Sequence, residues 1–317
     1  MTATPRDSAG PDAYACLISV VIPTFNYAAL LPRALESVIE QLASDIELIV
    51  IDDGSTDETA DVLARFSQRE PRVVVLHQAN SGAAAARNMG IAEARGQFVL
   101  PLDADDQLLP DALQRLRGLI TAQPQVEMVL AGRITRYTDG RSRLQLPLSL
   151  QVLSSRQLIS LYLLRKRINI AHGSVLFRRS LLLVYPYPQG FAAGEDIPVF
   201  AGALARARVM TLPYPVVRIN KHAGSLRRRI APCEQASMRL VDEVFSRLPA
   251  ECQPLSRRFR AQSYLSLFRS AWRVNQRSDA RRYYMQAFKL SPMQAMRWSY
   301  LGKLLRMCMH IRSRNGF

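Results

Sequence analysis

Cysteine is scarce: the 317 residues hold four, at positions 16, 233, 252 and 308. No two stand close enough in sequence for a disulfide framework or a zinc site, a pattern that suits a reducing compartment. Long apolar runs are missing as well. The longest reach about half of the ~20 residues that a membrane span needs. The run from Cys16 to Pro23 is β-branched and too short for a signal peptide's full pattern. Glycine (15) and proline (18) are near average usage, which excludes collagen-like and disordered classes. The expectation is a cytoplasmic protein with no anchor of its own, in which residues 1–15 form a disordered leader.

Acid is scarce in only part of the chain. The net charge of +16 divides into 9 Lys/Arg against 18 Asp/Glu in residues 1–130, and 33 against 8 in residues 131–317. A uniformly basic coat for nucleic acid would not be built this way. The asymmetry asks for a two-part explanation. The basic clusters Arg165-Lys166-Arg167 and Arg227-Arg228-Arg229 come with no recognition module and no regular aromatic pattern for stacking bases, so nucleic acid is not an expected partner.

Residues 17–22 form a continuous β-branched run that predicts a buried parallel strand stopping at Pro23. Further strands are predicted over 47–51, 73–76 and 97–102. Between them, 28–42 carries Leu31, Leu35, Val38 and Leu42 at helical spacing, and Ser55 with Glu58 predicts a capping box opening a helix to about Phe66. An alanine-rich helix over 82–94 is expected to stop at Gly96 as a left-handed cap. The βα alternation predicts a doubly wound α/β fold, Rossmann-like and mostly parallel, with ligands beyond the carboxyl ends of the strands. Strands are also expected over 126–132 and 174–177, partly helical chain over 144–168, and helices from Ala231 on. Residues 265–290 have the spacing of one helix–turn–helix hairpin. The ranges expected are 16–110 for a nucleotide-binding half, 111–230 for an acceptor-binding half and 231–317 for a basic helical appendage.

Each of the first four predicted strands ends in polar residues. Asp103-Ala104-Asp105 ends the fourth, and on extended backbone residues i and i+2 face the same way. Two carboxylates on one side suit Mg²⁺ or Mn²⁺ bridging phosphate oxygens, although a solvated loop with a helix cap at Asp106 or Asp111 fits the same letters. Asp52-Asp53 ends the second strand, where dinucleotide folds place an acid on a ribose or base. The first strand runs into Pro23-Thr24-Phe25-Asn26, not a glycine-rich loop, and there is no Walker sequence. Phosphates would therefore need a metal.

Four segments together resemble the family 2 inverting glycosyltransferases of the GT-A fold: Ser19–Asn26, Val50–Asp57, Asn80-Ser81-Gly82 with Ala86–Gly90, and Leu102–Asp106. The resemblance covers roughly 17–225 and is strongest in its first 90 residues. It implies that Pro23, Thr24 and Asn26, with Asp52 or Asp53, meet the nucleobase and ribose. Ser81, Gly82, Arg87 and Asp103 would line the nucleotide pocket, and Asp103 and Asp105 would hold the metal. Gly194-Glu195-Asp196 resembles the acidic pair that supplies the catalytic base, Asp196 taking the acceptor proton beside Glu195, with the two assignments open to exchange. Arg218–Arg227 resembles a loop whose histidine, here His222, completes the metal shell. His172 is a candidate for lining the donor-sugar or acceptor pocket. The implied reaction moves a sugar, UDP-linked by expectation, to a hydroxyl of a glycan or lipid-linked glycan during bacterial surface polysaccharide synthesis. A nucleotidyltransferase of similar fold would need a glycine- and arginine-rich loop that 23–33 lacks. Residues 297–314 mix Trp298, Tyr300, Leu301, Leu304, Leu305, Met307 and Met309 with basic residues, which makes an anionic membrane surface, and a peripheral position on it, a further expectation.

Overall fold

A computed structural model describes residues 16–150, 153–222 and 233–312. Four strand–helix alternations open the chain: β1 (Ile18–Thr24), α1 (Leu31–Ile39), β2 (Ile46–Asp52), α2 (Thr59–Arg69), β3 (Val73–His77), α3 (Ala83–Glu93) and β4 (Phe98–Pro101). All seven residues of β1 are buried, as expected of a parallel strand covered on both faces, which is why its sequence does not alternate. Leu31, Leu35 and Val38 of α1 pack with Ile18, Val20, Ile22, Leu48, Val50 and Leu100 in one core.

The remaining elements are β5 (Gln107–Leu108), α4 (Ala112–Ala122), β6 (Met128–Arg136), β7 (Ser142–Gln145), α5 (Ser155–Ile159) continuing as a π-helical turn over Ser160–Leu164, β8 (Val175–Arg178), α6 (Arg179–Val184), α7 (Asp196–Leu204) and β9 (Val209–Asn220). Helices complete the chain: α8 (Glu234–Ser246), a 3₁₀ segment Ala250–Leu255, α9 (Ser256–Arg273), α10 (Arg277–Leu290), α11 (Pro292–Ala295) and α12 (Trp298–Arg312). The strand order is β3-β2-β1-β4-β8-β6-β9-β5, with β7 on β6. β3, β2, β1 and β4 run parallel, and the pairs β4–β8, β6–β8, β6–β7 and β5–β9 are antiparallel. The chain leaves β3 and re-enters on the far side of β1, so β1 and β4 flank a switch point, where doubly wound sheets bind ligands.

Several sequence expectations change here. β1 does not stop at Pro23 but pairs through it, Pro23 opposite Ile51 and Thr24 opposite Asp52. The Val21 carbonyl accepts from Leu102 on the β4 side. Pro23, two residues on, turns its nitrogen to that same side, where the ladder has ended at Val21–Pro101. Its missing N–H therefore costs no ladder bond. The capping box at Ser55 and Glu58 does not form: Glu58 caps α2 with no side-chain bond. Asp57 accepts from the Thr59 N–H (3.1 Å) and from the Ala28 N–H (3.1 Å) instead. Gly96 is not a left-handed cap either, because its φ is not positive. It is small because a Cβ there would lie 2.6 Å from both the backbone nitrogen and Oγ of Ser19.

Two compact units divide the chain. One takes the described residues up to Leu146 with Ala171–Val184 and Met210–Asn220, and holds the sheet. The other takes Pro147–Ile170, Tyr185–Val209 and the chain from Lys221 on. In the second, α9 and α10 form the predicted hairpin around Leu265, Phe268, Ala271, Ala280, Tyr284 and Ala287. The rings of Phe268 and Tyr284 meet edge to face at 5.5 Å, and the Tyr284 hydroxyl donates to the Ala295 carbonyl at 3.1 Å. Among the described residues no helix is long and apolar enough to cross a membrane.

Candidate active site

The carboxyl ends of β1 and β2 are tied to the loops around them. Asn26, with φ of 56°, accepts on Oδ1 from the Thr56 N–H at 2.8 Å and the Asp57 N–H at 3.3 Å, while its own N–H donates to Ser55 Oγ at 2.9 Å. Its side chain thus builds the β1–α1 loop. Asp52 accepts from the Ser55 N–H (3.0 Å), and His77 Nδ1 lies 3.2 Å from its other oxygen. Asp53 takes three donors: Gln78 Nε2 at 2.6 Å, the Ser81 N–H at 2.8 Å and the Gly82 N–H at 2.8 Å. Donors placed in this way offset the cost of burying a carboxylate. Asp53 therefore fixes the Ser81-Gly82 turn, and Gly82 is the N-cap of α3. Pro23 lies in β1, and Thr24 beside it is buried, its Oγ1 without a partner among the described residues.

The acidic segment after β4 converges, but not as extended backbone. The Asp106 N–H donates to the Asp103 carbonyl at 3.0 Å, which makes residues 103–106 a turn. The turn gathers Asp103, Asp105 and Asp106, one ligand atom of each lying within 4.8 Å of the others. Asp106, a candidate helix cap in the sequence, is instead buried in this cluster, its Oδ1 accepting the Asn220 N–H at 2.9 Å. Asp111 holds the N-cap position of α4 in a left-handed conformation, without a side-chain cap bond. Asn220 Nδ2 donates to the Asp105 carbonyl at 2.9 Å, and Gln107 and Leu108 pair with Arg218 and Val217. The acidic turn is thereby stapled to the end of β9.

Asp103 faces Arg87 and His172. Arg87 Nη2 donates to its Oδ1 at 2.8 Å, and His172 Nδ1 lies 3.1 Å from the same oxygen. Burial alone would push this carboxyl up. The charges of His172 and Arg87 outweigh burial and hold it well below the usual carboxylate range. Both contacts fall on Oδ1, which leaves Oδ2 for another ligand. His172, a candidate for the donor-sugar or acceptor pocket, sits buried against Asp103. Gly173 comes next with φ of +73°, and a Cβ there would meet Val217 Cγ2 at 2.6 Å, so only glycine turns the chain at that point. Sequence reasoning gave Asp106 and Asn220 no part in the cluster. Asp106 was signalled by the run of acids, whereas Asn220 is brought in only by the β5–β9 pairing.

The remaining sequence candidates belong to the second unit. Glu195 is the N-cap of α7 and Asp196 its first residue, leading into the buried run Pro198–Leu204. Only the N-terminus of this apolar helix carries charge, where acids complement its dipole. His222 is half-buried. The expected loop after it, through Arg227, lies outside the described residues.

Solved structures place this arrangement in a fold class. S. aureus TarS residues 1–349 in complex with UDP-GlcNAc superposes with a TM-score of 0.67 at 16% identity, over 88% of this chain and 82% of that one. Mannosyltransferase PcManGT from Pyrobaculum calidifontis in complex with GDP-Man and Mn²⁺ gives 0.57 at 20% identity, over 95% and 84%. The fold is that of the GT-A glycosyltransferases. The Glycosyl transferase family 2 profile matches residues 19–184, just over half of the chain, and the chain belongs to that family. An uncharacterized glycosyltransferase of Nostoc sp. is 46% identical over 100 residues, 31% of each protein. A PGL/p-HBAD biosynthesis glycosyltransferase of Mycobacterium tuberculosis is 34% identical over 174 residues, 54% of this chain and 63% of that one. These matches span less than two thirds of either relative.

Proposed function

We propose that this chain transfers a sugar, with inversion, from a nucleoside-diphosphate donor to a hydroxyl of a glycan or lipid-linked glycan. The observation that carries the reading is the acidic turn at the switch point of a GT-A sheet. Three hard oxygen donors gathered within 4.8 Å fit a divalent cation such as Mg²⁺ or Mn²⁺. Bound there, it would neutralise charge on the departing diphosphate. Asp103 Oδ2, Asp105 and Asp106 would hold it, with His222 a further ligand by resemblance alone. Arg87 and His172 fix Asp103 in one orientation and offset part of the cluster's charge.

Thr24, with Asp52 or Asp53, meets the base and ribose, UDP being the expected nucleotide. Ser81, Gly82 and Arg87 line the pocket. By resemblance, Asp196 takes the acceptor hydroxyl's proton as it attacks the anomeric carbon, and Glu195 orients it. The test is release of nucleoside diphosphate from a panel of nucleotide sugars with Mn²⁺. The parent is expected to turn over at least one of them, with Asp105→Ala and Asp196→Asn inactive. Equal turnover by parent and both variants would falsify the assignment.

A further inference from the structure

The C-terminal helices leave an uncovered face whose composition is one-sided. From Ala280 to the end of the chain there are eight Lys/Arg and no Asp/Glu. The inner side of α10 is used: Ala280, Tyr284 and Ala287 fill the hairpin core. Tyr300 and Leu304 of α12 pack against that core as well, so the apolar residues read from sequence as a membrane-facing set are partly consumed in folding. Of that set Trp298 stays exposed, and the other exposed apolar side chains lie before it. On α10, Arg281, Met285 and Phe288 stand at i, i+4 and i+7 on one row of the helix, with Met285 45% and Phe288 37% exposed. Through α11 and into α12, Met293 is 85%, Met296 58% and Trp298 81% exposed. Arg281, Lys289 and Arg297 are exposed among them.

Single exposed apolar residues need no explanation, but five between Met285 and Trp298 do. We propose that this face docks the chain on an anionic lipid bilayer. The five apolar side chains enter the boundary between headgroups and acyl chains, and Arg281, Lys289 and Arg297 pair with lipid phosphates. Charge complementarity selects this occupant. A face on which Arg281, Lys289 and Arg297 are exposed among five exposed apolar side chains, with no acid in the sequence from Ala280 on, calls for a partner both apolar and anionic, and a bilayer interface offers both without a matching shape. Methionine adapts to an irregular apolar medium, and tryptophan favours the wet edge of it.

The test is co-sedimentation of the full chain with vesicles of phosphatidylcholine alone or of phosphatidylcholine with phosphatidylglycerol. Binding is expected to the second only, falling as salt rises, with a blue shift in tryptophan emission that Trp298→Phe removes. Met293→Ser/Met296→Ser/Trp298→Ser should weaken partitioning about tenfold or more. Arg281→Glu/Lys289→Glu/Arg297→Glu should weaken it similarly and abolish its salt dependence. These positions are exposed, so an unchanged thermal transition is expected to certify each variant as folded. The proposal is overturned if the parent stays in the supernatant, or if both variants pellet like the parent. It is equally overturned if the apolar variant only changes oligomeric state, which would make the face a contact between copies, or if RNA captures the parent and anionic vesicles do not.

Discussion

The two units handle charge in opposite ways. In the first, Asp52, Asp53, Asp106, Arg87 and His172 are buried, and each has a named protein partner at the ends of the strands. In the second, no charged side chain is buried among the described residues, and ion pairs such as Arg282 with Glu234 lie at the surface. A buried charge acts through its position, because each unanswered group costs several kcal/mol. An exposed charge acts mainly through its number and sign, because water and salt screen each pair. The first arrangement suits a site that orients one ligand, and the second suits adhesion to an extended anionic surface.

If position matters in the first unit, single substitutions there must be severe. Asp105→Ala should lower donor turnover by about 100-fold or more, with Mn²⁺ affinity by electron paramagnetic resonance falling alongside. Retained affinity would mean that the turn gathers acids without holding a cation. Gly173→Ala comes next. A left-handed backbone and a Cβ 2.6 Å from Val217 Cγ2 should cost about 2–3 kcal/mol in urea denaturation. Asn220→Ala sharpens the comparison further. It removes only the 2.9 Å bond to the Asp105 carbonyl, yet should weaken Mn²⁺ binding about tenfold, as loss of a group that orients a ligand does. The unfolding midpoint should barely move, which separates positioning from stability.

The parallel half of the fold was readable because strands buried on both faces are continuous apolar runs, as in residues 18–22. The turn chemistry at their ends was readable as letters but not as geometry. Asp103 and Asp105 were expected to converge by strand alternation, and a turn closed by Asp106 brings them together instead. β9 was missed because Pro213 and Pro215 interrupt its pattern and its partner β5 is two residues long. With β9 went the role of Asn220, whose bond to Asp105 joins residues 115 apart. Long-range pairing of short segments leaves no local periodicity to read. The hairpin of α9 and α10 was legible for the opposite reason, since its contacts are local and its small and aromatic residues recur at helical spacing.

The smallest effect is expected where the second unit looks best bonded. Arg282 pairs with Glu234 and, at 3.2 Å, with Asp279 one turn earlier on α10. Counted as bonds, this bridge rivals those of Asp53. Its guanidinium is 48% exposed, however, and its partners 29% and 42%. Removing it strands no buried charge, and water replaces what is lost. Arg282→Ala should therefore leave the urea midpoint unchanged, while Asp53→Ala, which strips three donors of a buried acceptor, lowers it clearly. Any small difference for Arg282→Ala should vanish at high salt, where a surface pair is screened. A large and salt-independent loss would show that charge in the second unit also acts by position, and the contrast between the units would fail at its weakest point.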